Sequence, residues 1–350
     1  MTLSQAEKRH AELVQQIRQH DKAYYVLAQP IVSDQEYDQL FQELLDIERA
    51  FPPLVKPDSP SQRVGGEPVP AFRRVKHEVP MLSLEKLEAS KTPSESEEPD
   101  PDVRSRIQDE NTLKGLADFD RNVRKYIRES KVEYVLEPKV DGVSITVHYE
   151  NGKLVLGATR GDGLFGDDIT SNIRAIRAIP LVLTVQDPPP HLEVRGEAYM
   201  PTSEFDRLNA ELTAAGEQPF PNARNATAGT LKQLDPSIVT ERPIRAVFYG
   251  VGVCRGIRFS THWETINMLK RFGLPTQPLW QCKGIDQVLR CYNEEIICGY
   301  DSSRDLRSRV PYDIDGVVIK IDKTADRERI PTKARAPGYA IVHKPIPWIM

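Results

Sequence analysis

Seven prolines fall between Phe51 and Met81, at positions 52, 53, 57, 60, 68, 70 and 80. Each holds φ at about −65° and removes a backbone donor, so neither a helix nor a paired strand of ordinary length survives that density. The segment reads as an ordered or semi-rigid connector. It cuts the chain into two stretches, each of which must find regular structure on its own side.

Upstream, the pattern is a helical hairpin. Ser4-x-x-Glu7 has the form of a capping box, and Leu13, Ile17, Tyr24 and Leu27 follow at helical spacing until Pro30. Ser33-x-x-Glu36 opens a second helix, with Tyr37, Leu40, Phe41, Leu44 and Leu45 on one apolar face. Residues 1–72 are thus expected to form a small helical domain with its connector, and residues 73–350 a second domain. In the second domain strands dominate from Glu133 onward. Val143, Ile145, Val147 and Tyr149 alternate with polar residues, and Asn151-Gly152 predicts a type I′ hairpin returning through Leu154 and Leu156. Residues 192–200, 246–254 and 315–322 read as further strands, with helices near 116–129, 203–215 and 262–272 interspersed irregularly. This is the pattern of an α+β fold with antiparallel sheets. Neither a P-loop nor G-x-G-x-x-G is present.

Charge is unevenly spread. Residues 88–112 hold eight acids against three bases, while the remaining residues hold 44 bases and 43 acids. The segment is too polar to bury a core of its own and reads as a flexible acidic insertion. It accounts for the chain's formal charge of −4. The acidic balance therefore does not exclude a nucleic-acid substrate, and a near-neutral remainder does not argue for tight binding, which needs clustered phosphate contacts. No uncharged apolar run approaches the ~20 residues of a membrane-spanning helix. The first residues lack the basic and apolar regions of a secretory signal, so a cytoplasmic protein is expected. Cys254, Cys282, Cys291 and Cys298 show no C-x-x-C and no zinc spacing, which predicts reduced thiols and no zinc site.

The tetrapeptide Lys139-Val140-Asp141-Gly142 sits where two strands meet. A lysine whose amine is freed of its proton is a nucleophile, and on a strand end it could attack phosphorus to form a phosphoramidate. Asp141 could orient it or hold a metal, and Gly142 would allow close backbone approach to a ligand. Alone, the motif also fits an ordinary exposed turn. Glu193, Arg195 and Glu197 share one face of a strand, which makes that face either solvated or the lining of a polar site. Lys320 ends an otherwise apolar strand, where a buried cation would need an anion such as phosphate. Arg160-Gly161-Asp162-Gly163 adds an arginine at a glycine-rich turn; with nothing to suggest secretion, its RGD is not read as an adhesion motif.

Taken in order, these segments resemble the NAD-dependent DNA ligases of bacteria. The resemblance runs through Tyr24-Tyr25-Val26-Leu27, Ser33-Asp34-Gln35-Glu36-Tyr37-Asp38, Pro57-Asp58-Ser59-Pro60-Ser61-Gln62-Arg63-Val64-Gly65 and His77-Glu78-Val79-Pro80-Met81-Leu82-Ser83-Leu84. It continues through the Lys139 motif, Ala158-Thr159-Arg160-Gly161-Asp162-Gly163, Val194-Arg195-Gly196-Glu197, Asn222-Ala223-Arg224-Asn225-Ala226-Thr227-Ala228-Gly229 and Asp313-Ile314-Asp315-Gly316-Val317-Val318-Ile319-Lys320.

The resemblance implies a nucleotidyltransferase (adenylation) domain of antiparallel sheets with helices, preceded by the helical domain. Lys139 would attack the adenylyl phosphorus of NAD, with Mg²⁺ or Mn²⁺ present, and release nicotinamide mononucleotide. AMP would then pass to a DNA 5′-phosphate for nick sealing. Glu137, Arg160 and Glu197 would contact adenosine, Ser83 and Leu84 would line the NAD site, and Lys320 and Lys344 would face the phosphate. Arg224 and Arg307 match arginines near the phosphate or the nick. Tyr24, Tyr25, Asp34, Tyr37 and Asp38 would hold the nicotinamide mononucleotide half; by spacing alone, Tyr24 and Tyr37 are equally core aromatics of the hairpin.

The expected partner is nicked double-stranded DNA, bound weakly by a monomer, since the OB, zinc, helix-hairpin-helix and BRCT modules implied by the resemblance would lie beyond Met350. The lysine motif around Lys344 is altered, with Pro345 directly after it. Two other readings remain: a nucleotidyltransferase using ATP or GTP, and a non-catalytic nucleotide- or DNA-binding remnant.

Overall fold

The computed structural model describes residues 1–26, 29, 31–63, 71–87, 101–297, 303–333 and 336–343, apart from the side chains of Tyr25, Val26, Asp34 and 101–112. The chain forms two compact units: Met1–Pro80 with Gly142–Arg258 and Ile266–Thr276, and Met81–Asp141 with Phe259–Thr265 and Gln277–Met350. The motif boundary at residue 72 is thus not where the compact units divide.

In the first unit, helices α1 (Leu3–Asp21) and α2 (Asp34–Ala50) form the expected hairpin. Two overlapping boxes compete at the start of α1, and the structure uses Thr2 with Gln5 instead of Ser4 with Glu7. Thr2 holds the extended backbone an N-cap requires, and its hydroxyl accepts from the Gln5 N–H at 3.3 Å. Ser33 and Glu36 cap α2 reciprocally, as the spacing predicts. Ala6, Leu13, Ile17, Leu44, Ile47 and Leu54 make the hairpin core, with Tyr37, Leu40 and Phe41 packed against it. The connector is more regular than its prolines suggest: single 3₁₀ turns at Pro52–Leu54 and Pro60–Arg63 precede a short strand, β1 (Arg74–Lys76). Pro30, Val64-Gly65, Pro68 and Pro70 lie outside the described residues.

Beyond Gly142 this unit is built on a four-stranded antiparallel sheet. Its order is β5 (Lys153–Thr159), β4 (Val143–Glu150), β7 (His191–Tyr199) and β8 (Arg245–Arg255). Asn151 and Gly152 have φ of 47° and 78°, the positive pair a type I′ hairpin requires. A second small sheet pairs β1 with β6 (Phe165–Asp167). Helices α4 (Thr170–Ala175), α5 (Thr202–Ala214), α6 (Ala223–Leu231) and α7 (Pro236–Glu241) complete it.

The second unit is a five-stranded sheet in the order β2 (Glu85–Lys86), β11 (Ala340–His343), β10 (Ile314–Ile321), β3 (Glu133–Val140) and β9 (Trp280–Lys283). Its pairs are antiparallel except β2 on β11, which is parallel. One face packs Tyr134, Leu136, Val317, Ile319 and Ile341 into a core with Leu116, Phe119, Val123 and Ile127 of helix α3 (Pro101–Ile127) and Val288 of α9 (Ile285–Cys291). Helix α8 (His262–Arg271) begins in this unit, and α10 (Thr324–Glu328) follows β10. The acidic insertion is corrected in part: the chain is helical from Pro101, so residues 101–112 extend α3 and are not a loop. A proline at the first helical position costs nothing, and the following residue types are ordinary helix formers. Residues 88–100 lie outside the described residues. Cys254, Cys282 and Cys291 are free thiols, and no described helix is long and apolar enough to cross a membrane.

Candidate active site

Strand β3 places Lys139 one residue from its end, paired with Gly316 of β10. The register slips between Ile314 and Gly316, so Asp315 is the extra residue of a bulge. Bulges re-aim side chains. Here Asp315 Oδ2 comes to lie 2.9 Å from Lys139 Nζ, both side chains a little over one quarter exposed. Asp141, half-buried on the turn after β3, has its N–H donating to Asp313 O at 2.9 Å.

The period of two puts Glu137 on the same sheet face as Lys139, and the β3–β10 register puts Lys320 there too. This is the face opposite the apolar core. Glu137 and Lys320 are buried and ion-paired, and Glu137 Oε2 lies 2.9 Å from His262 Nε2. Burial opposes ionisation of Glu137, but Lys320 and His262 outweigh it and bring its pKa down to about 2. Burial, reinforced by the neighbouring Lys320 charge, holds His262 down to about 4 despite Glu137. Lys320 is itself lowered by burial, with Glu137 opposing. The anion answering Lys320 is thus a protein carboxylate, where the sequence alone suggested phosphate.

Ser83 and Leu84, both half-buried, lead into β2 at the edge of this sheet. Arg307 lies in a 3₁₀ turn with its Nε and Nη2 donating to the fully buried Asp305 at 2.9 and 2.8 Å. That fork is committed to the protein, a weaker fit to a nick-facing role. Lys344 and Pro345 lie outside the described residues.

In the first unit, Ser144 Oγ donates to Glu197 Oε2 at 2.8 Å and the Ser144 carbonyl accepts from the Arg160 N–H at 3.0 Å. Glu197 and Arg160 are thereby brought together through Ser144. Gly142 has a different reason from the one its motif suggests: a Cβ there would sit 2.2 Å from the Ala198 carbonyl oxygen, so the close approach is to β7. In the hairpin, Tyr24 is 44% exposed on a π-helical turn and Asp38 is exposed on α2. Tyr37 is half-buried, stacks on Phe41 and donates its hydroxyl to Asp21 Oδ1 at 2.9 Å. The side chains of Tyr25 and Asp34 lie outside the described residues. Arg224 is exposed in the first turn of α6.

Asp315 and His262, like Ser144 and Asp305, are residues here that sequence reasoning did not single out as site residues. Asp315 stood inside a quoted motif, but nothing in its spacing signals a bulge. His262 had no signal.

The sheet of the second unit thus presents a strand-end lysine against a carboxylate, beside a buried lysine–carboxylate–imidazole cluster on one charged face. Residues 107–347 match the NAD-dependent DNA ligase adenylation domain, and residues 3–65 match the DNA ligase-like, N-terminal NAD⁺-binding domain. The chain belongs to the NAD-dependent DNA ligase adenylation domain family. The DNA ligase of Methylacidiphilum infernorum (isolate V4) is 43% identical over 338 residues, which cover 96% of this chain and 45% of that one. That of Heliobacterium modesticaldum is 43% identical over 341 residues, covering 97% and 46%. That of Geobacter sulfurreducens is 39% identical over 343 residues, covering 97% and 47%. The chain spans about half the length of the curated relatives it matches.

Proposed function

We propose that this chain performs the nucleotide-loading step of an NAD-dependent DNA ligase, with NAD consumed as a substrate. The free amine of Lys139 attacks the adenylyl phosphorus. The bond from that phosphorus to the bridging oxygen breaks, and nicotinamide mononucleotide leaves with the oxygen. Asp315, 2.9 Å from Nζ, is the base that takes the lysine proton. A DNA 5′-phosphate oxygen then accepts the AMP, the P–N bond breaks and the lysine recovers a proton. Displacement of AMP by the 3′-OH seals the nick.

Glu137, Arg160 and Glu197 contact adenosine, while Ser83 and Leu84 line the NAD site. Lys344 serves the phosphate, Arg224 lies toward the phosphate or nick, and Asp141 supports the lysine; Lys320 and Arg307, paired with Glu137 and Asp305, reach a phosphate only by exchanging those partners. Tyr24, Tyr25, Asp34, Tyr37 and Asp38 take the nicotinamide mononucleotide half. The donor set suits such a substrate, offering lysine and arginine for phosphates and carboxylates for ribose and adenine. The described residues contain no cluster of three or more His, Cys, Asp or Glu that could hold a metal. Asp141 is the carboxylate offered to Mg²⁺, which keeps several waters and binds largely through substrate phosphates. The expected setting is a cytoplasmic monomer acting on nicked double-stranded DNA.

The observation that carries this reading is the Lys139–Asp315 pair on the charged face of the sheet. Its test is intact mass after incubation with NAD and Mg²⁺, beside ATP and beside Lys139→Ala. A one-adenylyl gain with NAD alone, absent in Lys139→Ala, is expected; no gain on the unmodified chain would sink the proposal.

A further inference from the structure

The face of β7 that carries Glu197 also carries His191, Glu193 and Arg195. Strand β4 sets Glu150, His148, Thr146 and Ser144 directly across from His191, Glu193, Arg195 and Glu197 in turn. The proposed chemistry uses only the Ser144–Glu197 end of this ladder. The middle is not a solvated surface, because Thr146 and Glu193 are completely buried. Room for Glu193 comes from β8, where a Cβ on Gly252 would lie 2.2 Å from Glu193 Oε1.

Arg195 and Glu193 form a neutral pair, with Nε and Nη2 both donating to Glu193 Oε1 at 3.0 Å. Two of the three remaining guanidinium N–H groups donate to main chain. Nη1 donates to Pro80 O at 3.0 Å, and Nη2 to Val79 O at 2.5 Å. A fork that serves one carboxylate and two successive carbonyls suits arginine; lysine is a point donor. The segment so held, residues 77–80, is fastened at its other end around the Arg160 turn. The His77 N–H donates to Leu164 O at 2.9 Å, and His77 Nε2, 3.1 Å from Arg160 O, must carry the proton to meet that carbonyl. Just before it, β1 pairs with β6, and Arg74 pairs with Asp162 at 2.9 Å.

We propose that Arg195, braced by Glu193, is a positioning residue for Arg160. It acts through the strap of residues 77–80, whose His77 holds the Arg160 carbonyl and so sets where that guanidinium meets the nucleotide. The inference rests on the reading of Arg160 as a nucleotide contact. It gives the Glu193–Arg195 pair, which the loading reaction does not use, a task in substrate affinity.

Two variants cut the coupling at different points. Arg195→Met combined with Glu193→Gln releases the strap without leaving an unpaired interior charge. His77→Leu removes only the grip on Arg160, and His77→Gln keeps a donor there. Hydrogen exchange of the 160–166 backbone amides is read without nucleotide, alongside the melting temperature. Adenylyl-lysine formation is read as a limiting rate and a half-saturating NAD concentration. Both cutting variants should speed exchange at 160–166 and raise half-saturating NAD about tenfold with the limiting rate within about threefold. His77→Gln should stay near the unmodified chain.

Unchanged exchange and half-saturation in both cutting variants, with normal loading by the unmodified chain, would overturn the positioning role alone. So would exchange rising throughout the unit with rate and affinity falling together, the mark of a merely structural pair. No loading by the unmodified chain, with exchange still coupled, would overturn the functional reading and leave the strap's hold on Arg160 standing.

Discussion

At the scale of single residues, the proposed loading step turns on the proton of Lys139, because only an unprotonated amine has a lone pair to give. Asp315 is the group placed to take that proton. Asp315→Asn should slow adenylyl-lysine formation on the order of 10²-fold while half-saturating NAD changes little, as followed by mass against time. An unchanged rate would assign the proton elsewhere. The Glu137–Lys320–His262 cluster makes a separate demand. His262→Leu leaves a buried carboxylate short of a donor and should cost about 1–3 kcal/mol in urea unfolding, while His262→Gln, which keeps an N–H, should recover part of it. Lys139 stood out as a candidate through its place in an ordered series of motifs, since Lys-x-Asp-Gly alone also fits an ordinary exposed turn. Asp315 and His262 did not stand out, since a bulge and a helix start arriving from elsewhere in the chain bring them into place.

Secondary-structure elements were legible where a periodic pattern met a clear stop. The alternation of β4, the Asn151-Gly152 turn and the α2 capping box all formed as read. Caps and composition were less decisive. Thr2-x-x-Gln5 and Ser4-x-x-Glu7 are equally good boxes on paper, and only the extended backbone at Thr2 selects between them. Acidity over 88–112 argued for a loop, yet residues 101–112 continue the helix whose apolar face anchors α3 on the sheet. Gly142 illustrates the same limit, since its neighbour in space is on β7. Gly142→Ala should destabilise by about 3 kcal/mol, because backbone oxygen cannot yield as a side chain would; a shift of less than about 1 kcal/mol in the urea midpoint would show that the strands relax instead.

Over the whole molecule, two buried arrangements set stability. Arg63 Nη1 donates to Arg174 O, Ile176 O and Ile179 O at 3.0–3.2 Å, and its Nε lies 3.7 Å from the buried Asp21. Arg63→Met strands that carboxylate and should cost about 3 kcal/mol or more, with partial recovery on adding Asp21→Asn. The second arrangement is protonic. Burial holds His262 and His343 down to about 4, below their ordinary 6.5. The unfolded chain therefore takes up protons that the native chain refuses as pH falls from 6.5 to about 4, and stability is lost across that window. Below it Glu137, depressed to about 2, adds its own loss as it is protonated. Unfolding temperature should accordingly drop between pH 7 and pH 5, and His343→Phe should flatten the slope; a flat profile in the unmodified chain would contradict the burial argument. By itself the sequence determined the periodic elements and the proline-marked connector, because these depend on neighbours along the chain, and it offered Lys139 as the candidate nucleophile through an ordered series of motifs. The tertiary structure alone decided which partner each buried charge found. Lys320 meets Glu137, Arg195 meets the 79–80 carbonyls, and Asp315 meets Lys139, because strand register and bulges bring together groups that are far apart in sequence.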